Sequence, residues 1–147
     1  MILLVQRVLR GSVRVEGETV SRIGRGLVVL ACVEPGDGED EADEAARRTV
    51  EWRFFEDAAG KMNLDVLAAG GEVLAVPQFT LGADLSRGRR PGFEGAARPG
   101  EAEPLFLAYA AGLRARGVPV STGVFGARME VELVNDGPST FHWRTRR

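Results

Sequence analysis

Apolar residues along the chain follow two periods. From Ile2 to Val33 the pattern is strand-like: Val13 and Val15 alternate around Arg14, Glu16-Gly17-Glu18 marks a turn, and Val20 and Ile23 lead into Gly24-Arg25-Gly26. Leu27 to Val33 is a continuous apolar run rich in β-branched residues, the mark of a strand buried on both faces and central to a sheet. After Pro35-Gly36-Asp37-Gly38 the period changes. Ala42, Ala46, Val50 and Phe54 recur every fourth residue behind an acidic first turn, which predicts a helix over about Glu39–Phe54 with one stripe packed on the sheet. Glu72 to Leu81 reads as another apolar strand that runs into polar Gln78-Phe79-Thr80, with Pro77 marking an edge, a bulge or its exit. Gly82 to Gly100 is a long loop, either disordered or a binding loop. Glu101 to Arg116 returns to helical spacing through Leu105, Phe106, Tyr109 and Leu113, and Gly117 and Pro119 stop it. Val118–Thr122 and Met129–Val134 alternate as strands, Asn135-Asp136-Gly137-Pro138 has turn composition, and Ser139–Trp143 follows. Strands, helix, strands, helix, strands in that order predict an α+β fold whose sheets curve around one core.

Composition narrows the class. The 147 residues, 44% hydrophobic and 27% charged, suit one ordinary domain over 1–147 with a core large enough to need no disulfide or structural metal. The longest apolar run falls far short of the ~20 residues of a membrane helix, and no signal-peptide pattern opens the chain, so a cytoplasmic protein is expected. One cysteine and one histidine cannot build a zinc cluster of familiar spacing, and Cys32 inside Leu30-Ala31-Cys32-Val33 reads as an inert core thiol. A net charge of −2 argues against binding nucleic acid by bulk positive charge, yet charge is unevenly spread. Seven acids and no base lie between Glu34 and Glu44, whereas Arg87, Arg89, Arg90 and Arg98 cluster later and Arg144, Arg146 and Arg147 close the chain. That asymmetry allows one cationic face; a set of solvated arginines explains it equally simply.

Conventional catalytic motifs are missing. His142 has no serine or cysteine nucleophile motif nearby, no phosphate-binding glycine loop occurs, and no carboxylate pair stands out. What remains are two polar clusters at strand ends, Gln78-Phe79-Thr80 and Asn135-Asp136-Gly137-Pro138-Ser139-Thr140, each rich in groups that expose backbone amides and carbonyls.

Pro77-Gln78-Phe79-Thr80-Leu81 and Asn135-Asp136-Gly137-Pro138 closely resemble the two signature motifs of D-aminoacyl-tRNA deacylases. Gln6-Arg7-Val8, Gly60–Asn63, the Ala83-Asp84 to Arg90-Pro91 loop with Phe93, and Thr122-Gly123 with Phe125 match in the same order, so the resemblance covers nearly the whole chain. It implies a barrel-like, mostly antiparallel sheet with two main helices, and a homodimer that hydrolyses the ester between a D-amino acid and the terminal ribose of tRNA, and also clears glycine. It implies no metal, no cofactor, no membrane and no DNA partner. Gln78, Phe79 and Thr80 would be catalytic. Gly137 and Pro138, joined by a cis bond, would enter the partner subunit's pocket as a chiral filter, supported by Arg7, Asn135, Asp136 and Phe125.

The physics suits such a task. An enzyme that rejects every L-amino acid has to probe the α-carbon, and a glycine-proline backbone is a rigid probe without an obstructing side chain. Amides around Gln78 to Thr80 are natural donors to a tetrahedral oxyanion. No base is visible to activate Thr80, so a positioning role is expected for it, with the substrate's 2′-hydroxyl assisting. One departure is Pro77, where the bacterial pattern usually has serine; proline there accompanies tolerance of L-alanine in a related branch. The competing classes are a non-catalytic RNA-binding module built on the arginine clusters and a hydrolase of free D-amino-acid esters.

Overall fold

In the computed structural model, which describes residues 1–145, one long strand organises the sheet. Strand β1 (Ile2–Val15) runs antiparallel to β8 (Glu130–Arg144) along nearly its whole length. Its first half also pairs with β3 (Gly26–Cys32) and its second half with β2 (Glu18–Ile23), both antiparallel. From β3 the sheet continues in parallel through β6 (Glu72–Pro77) to β7 (Val120–Thr122). The Ser121 hydroxyl of β7 donates to the Arg22 carbonyl of β2 at 3.5 Å, so the first and last strands meet and the sheet nearly closes. A separate antiparallel pair, β4 (Phe55–Glu56) with β5 (Met62–Leu64), lies in the β3–β6 crossover.

Parallel neighbours require long crossovers, and the two helices supply them. Helix α1 (Glu39–Glu51) lies between β3 and β6, and α2 (Pro99–Ala115) between β6 and β7. The buried Thr49 and Tyr109 hydroxyls, 3.0 Å apart, join the helices inside a shared core. Strand alternation divides the apolar side chains between two clusters. Leu3, Val5, Leu27, Val29, Val73 and Ala75 pack with the helices, while Val8, Val13, Val28, Leu74 and Val76 fill the other face. This is why Leu27–Val33 shows no polar alternation: β3 is covered on both sides.

The α+β architecture, the two helices and the mostly antiparallel, barrel-like sheet are as the sequence indicates; the boundaries move. Helix α1 ends at Glu51 rather than Phe54, because Trp52 turns extended (ψ 129°) and sends Trp52 and Phe54 against Trp143 and Phe141 of β8. Helix α2 begins at Pro99, whose missing N–H costs nothing in a first turn. The strand expected over Glu72–Leu81 stops at Pro77 and gives way to a 3-10 turn, Phe79–Gly82. The Asn135–Pro138 segment is not a turn between two strands. It lies within β8 as an irregularity where pairing with β1 shifts between Gln6 and Arg10. Arg146 and Arg147, the end of the basic cluster, lie outside the described residues.

Candidate active site

Pro77 ends β6 opposite Ala31, and the Gln78 amide donates to the Ala31 carbonyl at 2.8 Å. That amide is therefore committed to the sheet and cannot serve as an oxyanion donor. The turn's first internal bond runs from the Leu81 amide to the Gln78 carbonyl. Among the described residues the amides of Phe79 and Thr80, at the open N-terminal end of the 3-10 turn, have no carbonyl partner. The Gln78 side-chain amide donates to the Thr80 hydroxyl at 2.5 Å, fixing both side chains over the turn.

This turn borders a cavity of about 770 Å³, the size range of a small-molecule site. Its wall is largely apolar, with four phenyl rings from Phe79, Phe93, Phe106 and Phe125, and Arg98 and Glu103 bring charge. Phe79 and Phe93 meet edge to face with centroids 5.2 Å apart, and Phe106 and Phe125 lie 6.3 Å apart. Cys32 also lines it, buried, with its thiol 3.5 Å from the Phe79 carbonyl. Burial pushes that thiol's pKa above its usual 9.0, so it is protonated and poorly nucleophilic at neutral pH. Glu103 is the one carboxylate of the wall, and no group of metal-ligating side chains occurs among the described residues.

The second constellation is separate. The Gly137-Pro138 peptide bond is cis, and both residues are exposed. Asn135 closes the neck of this loop: its Oδ1 accepts from the Ser139 amide at 2.6 Å, and its Nδ2 donates to the Ser139 carbonyl at 3.2 Å and to Thr140 Oγ1 at 3.0 Å. Buried Arg7 holds the loop from below, Nε donating to the Asp136 carbonyl at 3.1 Å and Nη1 to the Phe54 carbonyl at 2.7 Å. Gly137 has φ +138°, and an added Cβ would stand 2.5 Å from Ser139 Oγ.

Gln78, Phe79 and Phe125 thus line the cavity, with Thr80 next to them in the 3-10 turn, while Arg7, Asn135, Asp136, Gly137 and Pro138 gather elsewhere. Arg7 is level with Leu27 on β3 and Pro77 with Ala31. Four residues of strand separate the two levels, about 13 Å at ~3.3 Å per residue. Cys32, Arg98, Glu103 and Phe106 belong to the cavity wall although nothing in the sequence singled them out as site residues. Their spacing signals core or surface, and only the approach of α2 to the end of β3 makes them neighbours.

An apolar cavity that carries four phenyl rings, bordered by a 3-10 turn whose first two amides have no carbonyl partner among the described residues, is the candidate site. The D-Tyr-tRNA(Tyr) deacylase family model matches residues 4–144, and the chain belongs to that family. It is 53% identical over 137 residues to the D-aminoacyl-tRNA deacylase of Cereibacter sphaeroides, covering 93% of this chain and 94% of the relative. With that of Thermomicrobium roseum it shares 54% over 140 residues, 95% and 91% of the two chains. Among solved structures, one described as the c-Myc DNA unwinding element binding protein superposes with TM-score 0.94 at 37% identity over the full length of both chains.

Proposed function

We propose that this enzyme hydrolyses the ester between a D-amino acid, or glycine, and the terminal ribose of tRNA, as a cytoplasmic proofreading step of translation. The observation that carries the reading is the pair of unpartnered amides, Phe79 and Thr80, in the turn whose Phe79 lines the cavity, in a member of this family. Water adds to the ester carbonyl, and the charge that develops on the carbonyl oxygen is accepted by these two N–H groups. Collapse of the tetrahedral intermediate expels the ribose 3′-oxygen. That oxygen takes up the proton released by the attacking water, relayed by the neighbouring 2′-hydroxyl of the substrate itself. Thr80, held by Gln78, positions rather than attacks, because no base adjoins it.

Selectivity is assigned to Gly137 and Pro138 acting on the cavity of a second copy in a homodimer. Their exposure, and the step of about 13 Å along the sheet between the level of Arg7, which holds their loop, and that of Pro77 at the cavity, support action in trans. Backbone atoms presented to the α-carbon leave room for hydrogen on that side and none for an L side chain, so D-amino acids and glycine pass. Pro77 removes the polar contact of the usual serine; the D-selective reading is kept, and a deacylase with relaxed selectivity toward L-alanine is the alternative that L-Ala-tRNA tests.

The test follows release of labelled amino acid from D-Tyr-tRNA, L-Tyr-tRNA, Gly-tRNA and L-Ala-tRNA, with a 2′-deoxy D-substrate alongside. Loss of the D and glycyl forms, slowed by the deoxy substitution and absent with L-Tyr, is the expected result. A second reading, a non-catalytic nucleic-acid-binding module, is favoured by the resemblance to the DNA unwinding element binding protein. Tight binding of uncharged tRNA or single-stranded DNA without turnover of any ester establishes it instead.

A further inference from the structure

The arginine-rich loop of residues 83–98 carries an exposed tip, residues 85–91, that has no part in the site described above. It begins directly at the end of the 3-10 turn that carries Phe79 and Thr80, and its return leg brings Phe93 and Arg98 into the cavity wall. Asp84 and Gly92 exchange two backbone hydrogen bonds of 2.8 and 2.9 Å, closing a short stem. Gly82 and Gly95 touch backbone to backbone below it: a Cβ on Gly95 would lie 2.3 Å from the Gly82 carbonyl oxygen. The Ala97 amide donates to the Val33 carbonyl at 2.9 Å and ties the return leg to the end of β3. Beyond the stem every residue from Leu85 to Pro91 is exposed. The loop is an anchored arm standing at the mouth of the cavity.

Its tip carries Arg87, Arg89 and Arg90. Among the described residues none of the three has an ion-pair or hydrogen-bond partner, whereas Arg7, Arg47, Arg48, Arg116 and Arg144 each have a carboxylate within 4 Å. The arm's own acids, Asp84 and Glu94, belong to the stem. Asp84 is occupied by the Ser86 amide at 2.8 Å, and the Glu94 carboxylate lies against Gly92. In a chain of net charge −2, three neighbouring guanidinium groups are thus left without counter-charge beside the proposed reaction centre.

Resting on the proposed deacylase reading, we infer that this arm binds the acceptor-end phosphates of the tRNA whose ester lies in the same cavity. A guanidinium matches a phosphate bidentately, which suits unpaired arginines better than any apolar role. Three residues past the stem reach at most ~10 Å, and a nucleic-acid strand advances ~3.4 Å per nucleotide along its axis. The tip therefore meets phosphates a few nucleotides from the reacting end. These contacts involve neither the amino acid nor the terminal base, so they supply affinity for any tRNA without sequence or side-chain preference.

The experiment compares wild type with R87Q/R89Q/R90Q on D-Tyr-tRNA and on 3′-O-D-tyrosyl-adenosine, which has no phosphate, across a salt series. The expected result is a KM for D-Tyr-tRNA at least tenfold higher in the variant, with kcat kept and activity on the adenosine ester unchanged. The slope of log affinity for uncharged tRNA against log salt falls by about 2, since each single-strand phosphate contact contributes ~0.7. R87K/R89K/R90K restores most of the affinity. An unchanged KM and slope for tRNA, or an equal loss on both substrates, overturns the assignment. Failure of wild type to cleave either ester overturns the deacylase reading beneath it, and the salt slope of tRNA binding still decides whether the arm holds phosphates.

Discussion

Arg7 Nε lies 3.1 Å from the Asp136 carbonyl oxygen, across 129 residues of sequence, while its Nη1 bonds the Phe54 carbonyl at 2.7 Å. One buried guanidinium thereby satisfies two main-chain acceptors and ties the Gly137-Pro138 loop to the end of the α1 segment. A lysine cannot span both acceptors with a planar fork. R7A is expected to lower stability by about 2–3 kcal/mol, the scale of a hydrogen bond to a charged group plus a carbonyl left unsatisfied. R7K recovers only part of this. Urea unfolding measures the stability, and the D-to-L ratio of ester hydrolysis reports whether the loop has loosened.

Gly137 is at φ +138°, a conformation that L side chains rarely adopt, and a Cβ there would crowd Ser139 Oγ at 2.5 Å and Arg7 Nη2 at 3.3 Å. G137A is expected to displace the loop while leaving the distant core intact. Circular dichroism should be unchanged, D-aminoacyl-tRNA turnover should fall at least tenfold, and retained discrimination with full activity would remove Gly137 from the filter.

If main-chain donors stabilise the oxyanion, a proline that deletes one should cost far more than loss of the side chain. Gln78 (φ −144°, ψ 79°) lies outside the α region that a following proline disfavours, and proline suits the first position of a helical turn. F79A reports the phenyl contribution and F79P adds loss of the amide. F79P is expected to have a kcat about 10²–10³-fold below that of F79A. Equal kcat values for the two variants would exclude the Phe79 amide as a donor. T80A, which keeps the amide, should retain measurable turnover.

Burial raises the pKa of both Cys32 and Tyr109, above 9.0 and 10.0 respectively; for Tyr109 the Thr49 hydroxyl offsets this only partly. An acid with a raised folded-state pKa stabilises the fold fully below its unfolded-state pKa, and that stabilisation is lost as pH climbs above it. Unfolding free energy should therefore decline as pH passes 9.0, with Tyr109 adding to the decline above 10.0. Denaturant titrations of wild type, C32A and Y109F between pH 7 and 11 check this, each variant flattening its own part of the curve.

Much of this molecule was legible in one dimension. Alternation and period located β1, β3, α1 and α2 to within a few residues, because burial of one face is a local demand on side-chain spacing. The end of a strand at Pro77 was equally readable, whereas Pro99 fell inside the expected loop and instead opens α2. The turn after β6 was found as a polar cluster, but the amide on which attention first falls, that of Gln78, is used up by Ala31, a partner 47 positions away. Which N–H groups are spare is a property of strand pairing, and pairing is not written in the turn itself.

Sequence by itself determined the fold class, the family resemblance and the residues of both motifs, since those depend on local periodicity and on ordered short patterns. Only the tertiary structure decided that Asn135–Pro138 interrupts a single strand, and that Arg7 grips it together with Phe54. It also decided that Cys32, Arg98, Glu103 and Phe106 share a cavity wall with Phe79. The physical reason is the same throughout: these are contacts between segments that meet through sheet register and helix packing, and their spacing along the chain carries no trace of the meeting.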